Sequence, residues 1–167
     1  MLLPAKRKAQ PQRIRPSVGL QPTGEKEMGL VYAEIELISV DDLALNRRGF
    51  ITEDEIKRVR VNALVDSGSY MLVIPGHLKE QLDLAVLEER MATLADEKEV
   101  RGTVVVGPVE VRFENRRTTV DALVLADQGE VLLGSVPMED LDVVIDPKRQ
   151  TLIVNPDYPY IPLTYAK

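Results

Sequence analysis

Cysteine is absent from the sequence. That absence excludes disulfides, zinc–thiolate sites and a thiol nucleophile. Histidine occurs once, as His77, so neither a multi-histidine metal site nor a histidine-based triad with a spare can be assembled. His77 follows Pro75-Gly76 and reads as a surface residue. Ser67 and Ser69 lack both a partnered histidine and the Gly-x-Ser-x-Gly elbow of serine hydrolases. No run approaches the ~18 apolar residues of a bilayer span. Met1-Leu2-Leu3 passes at once into Pro4 and Lys6-Arg7-Lys8, without the apolar centre of a signal peptide. The expectation is a soluble cytoplasmic protein with no membrane partner. A glycine-rich phosphate loop, a heptad pattern, an internal repeat and an EF-hand loop are also missing. Asp41-Asp42 and Glu53-Asp54-Glu55 therefore read as solvated acidic loops, and neither a metal nor a cofactor is expected.

What is present is enough apolar material for one core: 44% of 167 residues are hydrophobic. The formal charge is −6 and unevenly spread. Residues 1–28 hold six Lys/Arg against two Glu, which leaves about −10 on the remainder. An acidic body argues against nucleic acid as the main partner. Residues 1–27 contain Pro4, Pro11, Pro16 and Pro22 and few large apolar side chains. They cannot bury enough surface to offset chain entropy, so a disordered basic extension over 1–27 and a folded domain over 28–167 are expected.

Within that domain the pattern is mostly β. Residues 30–38 are rich in strand formers, and Val59, Val61 and Ala63 alternate with polar neighbours before running into Leu64-Val65. Thr52-Glu53-Asp54-Glu55 has the form of a capping box opening one helical turn. Met71 to Ile74 reads as a short buried strand ended by Pro75-Gly76. Leu78 and Leu82, four apart, predict a helical turn or two over 77–84. Segments near 86–95, 98–106, 109–114 and 117–125 read as strands separated by turns at Asp96-Glu97, Gly107-Pro108 and Asn115-Arg116. Arg116-Arg117 is expected to be solvated. A short helix is expected over Pro137 to Leu141, then core strands at 143–145 and 152–154 and an extended tail bearing Pro156, Pro159 and Pro162. Many short strands with few helical turns predict a barrel or sandwich.

Asp66-Ser67-Gly68 interrupts this apolar pattern. A carboxylate between two core strands is costly unless it is hydrogen-bonded or has work to do. Gly68 permits a backbone path closed to other residues, and Ser67 supplies a hydroxyl. One reading is a plain turn in which Asp66 caps backbone amides. The wider context adds to it. Ala63-Leu64-Val65-Asp66-Ser67-Gly68-Ser69, a strand-turn-strand around Ala95 to Val100, and Val131-Leu132-Leu133-Gly134 followed by a short helix occur in one order. Over residues 30–155 this arrangement resembles the retroviral-like (retropepsin-type, clan AA) aspartic proteases, and more narrowly their small bacterial single-domain branch.

The resemblance implies a closed acid-protease-like barrel with one or two short helices, one lobe per chain. It implies that Asp66 is catalytic, that Ser67 and Gly68 support the active-site loop, and that Leu132, Leu133 and Gly134 pack beside it. It places a substrate-covering flap at Ala95, Asp96, Glu97 and Lys98. Departures are Ser67 where threonine is commonest, Ser69 where alanine is frequent, a flap tip without glycine, and a longer 39–58 insertion. The chemistry of this class uses two carboxylates sharing one proton. The chain carries one such motif, since Asp127-Gln128-Gly129 does not qualify. The implied enzyme is therefore a homodimeric endopeptidase acting on peptide or protein substrates, with residues 154–167 available to interleave between copies through Tyr158, Tyr160, Ile161 and Leu163. The alternative, motivated by the glycine-free flap, is a binding or regulatory module of the same fold with little or no proteolysis.

Overall fold

The computed structural model describes residues 29–93, 100–125 and 129–166. The chain divides into two units, Met1–Leu30 and Val31–Lys167, and every element below belongs to the second. The elements are β1 (Val31–Ser39), α1 (Val40–Arg47), a 3-10 turn (Glu53–Glu55), β2 (Arg58–Val65), β3 (Leu72–Ile74), α2 (Gly76–Gln81), β4 (Ala85–Ala92), β5 (Arg101–Phe113), β6 (Arg116–Val124), β7 (Leu132–Leu133), α3 (Ser135–Leu141), β8 (Val143–Asp146) and β9 (Thr151–Val154). The fold is mostly β, with seven strands hydrogen-bonded in the order β1-β2-β7-β3-β6-β5-β4 and a further pairing of β1 with β5.

Side-chain alternation explains why these strands share a core. Ala33, Ile35 and Leu37 of β1 point inward, as do Val109, Val111 and Phe113 of β5. The alternate face carries ion pairs: Arg58 meets Glu36 at 3.4 Å, and Arg112 meets the buried Glu110 at 2.6 Å. Leu78 and Leu82, four residues apart at α2, are both buried.

Four expectations are corrected. First, Asp41-Asp42 is not a solvated loop but the first turn of α1, capped by the Ser39 hydroxyl, which accepts from the Asp42 N–H. Asp42 is buried because its carboxylate takes the Lys57 backbone N–H (2.9 Å) and ammonium (3.2 Å). With α1, three α-helices are found among the described residues where one or two were expected. Second, Gly107-Pro108 does not reverse the chain. It forms a bulge inside one 13-residue strand, where the β5–β6 register shifts between Val106 and Val109. Proline has no N–H for the ladder, and the bulge leaves it unpaired. Third, β8 and β9 form a separate two-stranded sheet, with Leu152 buried but Val144 and Ile145 exposed.

The fourth correction concerns Arg116, which is 2% exposed rather than solvated. Its guanidinium donates to the Tyr158 carbonyl, and neighbouring Asn115 donates to the Pro159 carbonyl at 2.9 Å. The tail is thus folded back over the β5–β6 turn. The 52–55 capping box is formed as read, with the Thr52 N–H donating to Glu55 at 2.8 Å. The Thr52 hydroxyl also donates to Asp54 and, with a backbone hydrogen bond, holds that carboxyl below its ordinary value.

Candidate active site

Asp66 follows the last residue of β2, where the chain leaves the sheet. Leu64 and Val65 pair in parallel with Leu132 and Leu133 of β7. The Leu64 N–H donates to the Val131 carbonyl (2.8 Å), and the Asp66 N–H donates to the Leu133 carbonyl (3.0 Å). The backbone of Asp66 is therefore fixed from one side by β7. From the other side it is fixed by its own turn: the Ser69 N–H donates to the Asp66 carbonyl at 3.0 Å.

The side chain is oriented as well. The Gly68 N–H donates to Asp66 Oδ1 at 3.0 Å. A Cβ at position 68 would lie 3.3 Å from that same oxygen, so glycine gives the carboxylate room beside the amide it uses. Asp66 is half-buried, and Ser67 and Gly68 are exposed. The Gly68 amide caps the carboxylate as in a plain turn and leaves it reachable.

Gly134 is where the two loops meet. A Cβ there would lie 2.3 Å from the Met71 carbonyl oxygen and 2.7 Å from that of Ser69. Only a residue without a side chain lets β7 and α3 approach the Asp66 loop this closely. The approach is used at once: the Ser135 N–H donates to the Ser69 carbonyl (2.8 Å) and the Val136 N–H to the Tyr70 carbonyl (3.1 Å). Ser69 adds a brace, its hydroxyl donating to the Met71 carbonyl at 3.2 Å. Asp66, Ser67 and Gly68 are thus brought together with Leu132, Leu133 and Gly134.

The expected flap residues Ala95, Asp96, Glu97 and Lys98 lie outside the described residues. The hairpin that leads to them is described: β4 pairs antiparallel with β5, Ala92 opposite Arg101. It carries two contacts that the sequence reading missed. The Thr103 hydroxyl donates to the Val124 carbonyl, and Arg90 Nη1 lies 3.8 Å from Met71 Sδ. Neither has a local signal, because each joins segments about 20 residues apart.

No curated protein matches the chain. Among solved structures it is similar to EIAV protease in complex with an inhibitor, at 23% identity and a TM-score of 0.39, covering 49% of this chain and 77% of that one. It is also similar to a retropepsin-like aspartic protease from Rickettsia conorii, at 17% identity and a TM-score of 0.38, covering 73% of this chain and 91% of that one. The family model described as aspartyl protease matches residues 53–136, half of the chain, and spans both the Asp66 loop and Leu132-Leu133-Gly134. The chain belongs to the aspartyl protease family.

Proposed function

We propose that the protein is a homodimeric aspartic endopeptidase in which Asp66 of each copy supplies one carboxylate. The observation that carries the reading is the single Asp66 turn, aimed by the Gly68 amide and joined through Gly134 to α3. Two carboxylates about 3 Å apart cannot both ionise, so a facing pair holds one proton. The ionised member draws a proton from water, and the water attacks the peptide carbonyl. The protonated member donates to the carbonyl oxygen. One chain has one such carboxylate, so a second copy across a two-fold axis completes the pair. The pairing of β1 with β5 supports the companion reading of a closed, acid-protease-like barrel as the scaffold.

The test is Asp66→Asn or Asp66→Ala, assayed on a denatured protein or a peptide library between about pH 4 and 6. Cleavage is expected to fall at least about a thousand-fold. Unchanged cleavage overturns the assignment.

A further inference from the structure

We infer that Arg90 is a specificity-determining residue that reads a carboxylate side chain of the substrate close to the cleaved bond. The inference rests on the protease reading above and deepens it. Its basis is where the β4–β5 hairpin points Arg90 and what the guanidinium finds there.

Arg90 pairs across the hairpin with Thr103, and Glu88 pairs with Val105. Directly opposed residues of an antiparallel pair share a face, and residues two apart on a strand share it too. Thr103 and Val105 fix which face this is. The Thr103 hydroxyl reaches the Val124 carbonyl, and Val105 is 3% exposed. Glu88 and Arg90 therefore share the face of Thr103 and Val105, whereas Val104, opposite Glu89, packs against the hydrophobic core. Glu89 and Met91 alternate to the other side.

On that face Arg90 reaches the segment leaving the Asp66 loop. Its Nη1 lies 3.8 Å from Met71 Sδ. Met71 is itself part of the loop junction, since its carbonyl accepts from the Ser69 hydroxyl and lies against Gly134. A groove of about 480 Å³ runs along the hairpin, lined by Glu89, Arg90, Met91, Gly102, Thr103 and Val104.

The guanidinium is prepared but poorly satisfied at this end. Arg90 Nε donates to Glu88 at 2.6 Å, which fixes the side chain in place before a ligand arrives. Nη1 faces a thioether, a weak acceptor. Exchanging that sulfur for a carboxylate oxygen replaces a weak contact by a charge-assisted hydrogen bond, the interaction guanidinium geometry suits best. Arg90 and Glu88 are each about half-exposed, so a peptide bound along the hairpin has access. Glu88 is already engaged on Nε, which leaves Nη1 for an acidic side chain, with Glu89 the other carboxylate on the groove.

The experiment uses the full-length protein and paired peptides that differ only by Glu or Gln, the exchange placed in turn at each position flanking the cleaved bond. The wild type is expected to favour Glu over Gln at one position by about ten-fold in kcat/KM, the scale of one hydrogen bond to a charged group. Arg90→Gln is expected to bring that ratio to about one, Arg90→Lys to retain part of it, and Arg90→Glu to invert it in favour of Gln at the same position. Absence of an acidic preference at every position, or its persistence in Arg90→Gln, overturns the inference while leaving the protease reading intact. If the wild type cleaves none of the peptides, or Asp66→Asn cleaves them equally well, the protease reading fails and the role of Arg90 falls with it.

Discussion

A methyl group added at Gly134 would meet only backbone: the Met71 and Ser69 carbonyl oxygens and the Tyr70 carbonyl carbon, all within 2.8 Å. No rotamer change relieves such a clash, so the β7–α3 junction must separate from the Asp66 loop. That separation stretches the bonds from Ser135 and Val136 to Ser69 and Tyr70. Gly134→Ala is therefore expected to cost about 3 kcal/mol. In a chain of this length that lowers the thermal midpoint by roughly 6–12 °C. Gly76→Ala is the control: nothing lies within 4 Å of its Cβ position, at the start of α2, and alanine there should be neutral or slightly stabilising. Calorimetry of the two variants checks the contrast. Equal midpoints would mean that the close approach at Gly134 does not organise the site. The backbone torsion of Gly134 is an ordinary extended one, φ −86°. The demand for glycine is one of space, and the family resemblance marked the residue without giving that reason.

Among the elements, the tail is held mainly through its backbone. Asp142 ends α3 in the left-handed conformation (φ 57°). Its carboxylate accepts from the Asn155 amide (3.1 Å) and from the Leu163 backbone N–H (2.8 Å). Arg116 and Asn115 take the Tyr158 and Pro159 carbonyls. The side chains of Tyr160, Ile161 and Tyr165 are left exposed. Asp142→Ala loses the acceptor and the tolerance for positive φ together, an expected cost of about 2–3 kcal/mol. Asp142→Asn keeps the conformation and one acceptor oxygen and should lose about half as much. Amide hydrogen exchange at Leu163 is the direct readout: it should rise strongly in Ala and moderately in Asn. Equal protection in all three proteins would show that Asp142 does not hold the tail. These same contacts mark the limit of what the sequence disclosed. The Asp66 loop and β7 were legible because an acidic residue interrupts an apolar run and Leu-Leu-Gly follows in a known order. The burial of Arg116 was not, because its carbonyl partner lies 42 residues downstream. A charged residue beside a turn reads as solvated until the returning chain covers it. Gly107-Pro108 misled in the opposite direction: its residues have the chemistry of a turn, but long-range pairing of β5 with β1 and β6 keeps the strand going.

For the whole molecule the decisive quantity is charge. Residues beyond position 28 carry about −10, and two such bodies repel each other as they approach. The exposed apolar side chains Tyr70 and Val136 beside the Asp66 loop, with Ile161 on the tail, offer contact surface whose attraction depends little on salt. Association governed by these two terms has a definite ionic-strength signature. At about 0.02 M salt the repulsion is felt across tens of ångströms, whereas at about 0.5 M it is screened within a few. The proposed dimer is therefore expected to tighten on raising salt over this range, by about ten-fold in its dissociation constant. Proteolytic rate should rise with it. Sedimentation across a protein concentration series, run beside cleavage of a neutral peptide, measures both. In the dilute regime the rate should grow with the square of protein concentration and become linear once dimers saturate. Salt should move that crossover to lower concentration. A rate linear throughout, from a species that sediments as a monomer, would leave each Asp66 without its partner carboxylate and defeat the shared-proton mechanism. A dimer that weakens with salt would instead assign its stability to ion pairs between copies and would move the interface away from the Asp66 loop.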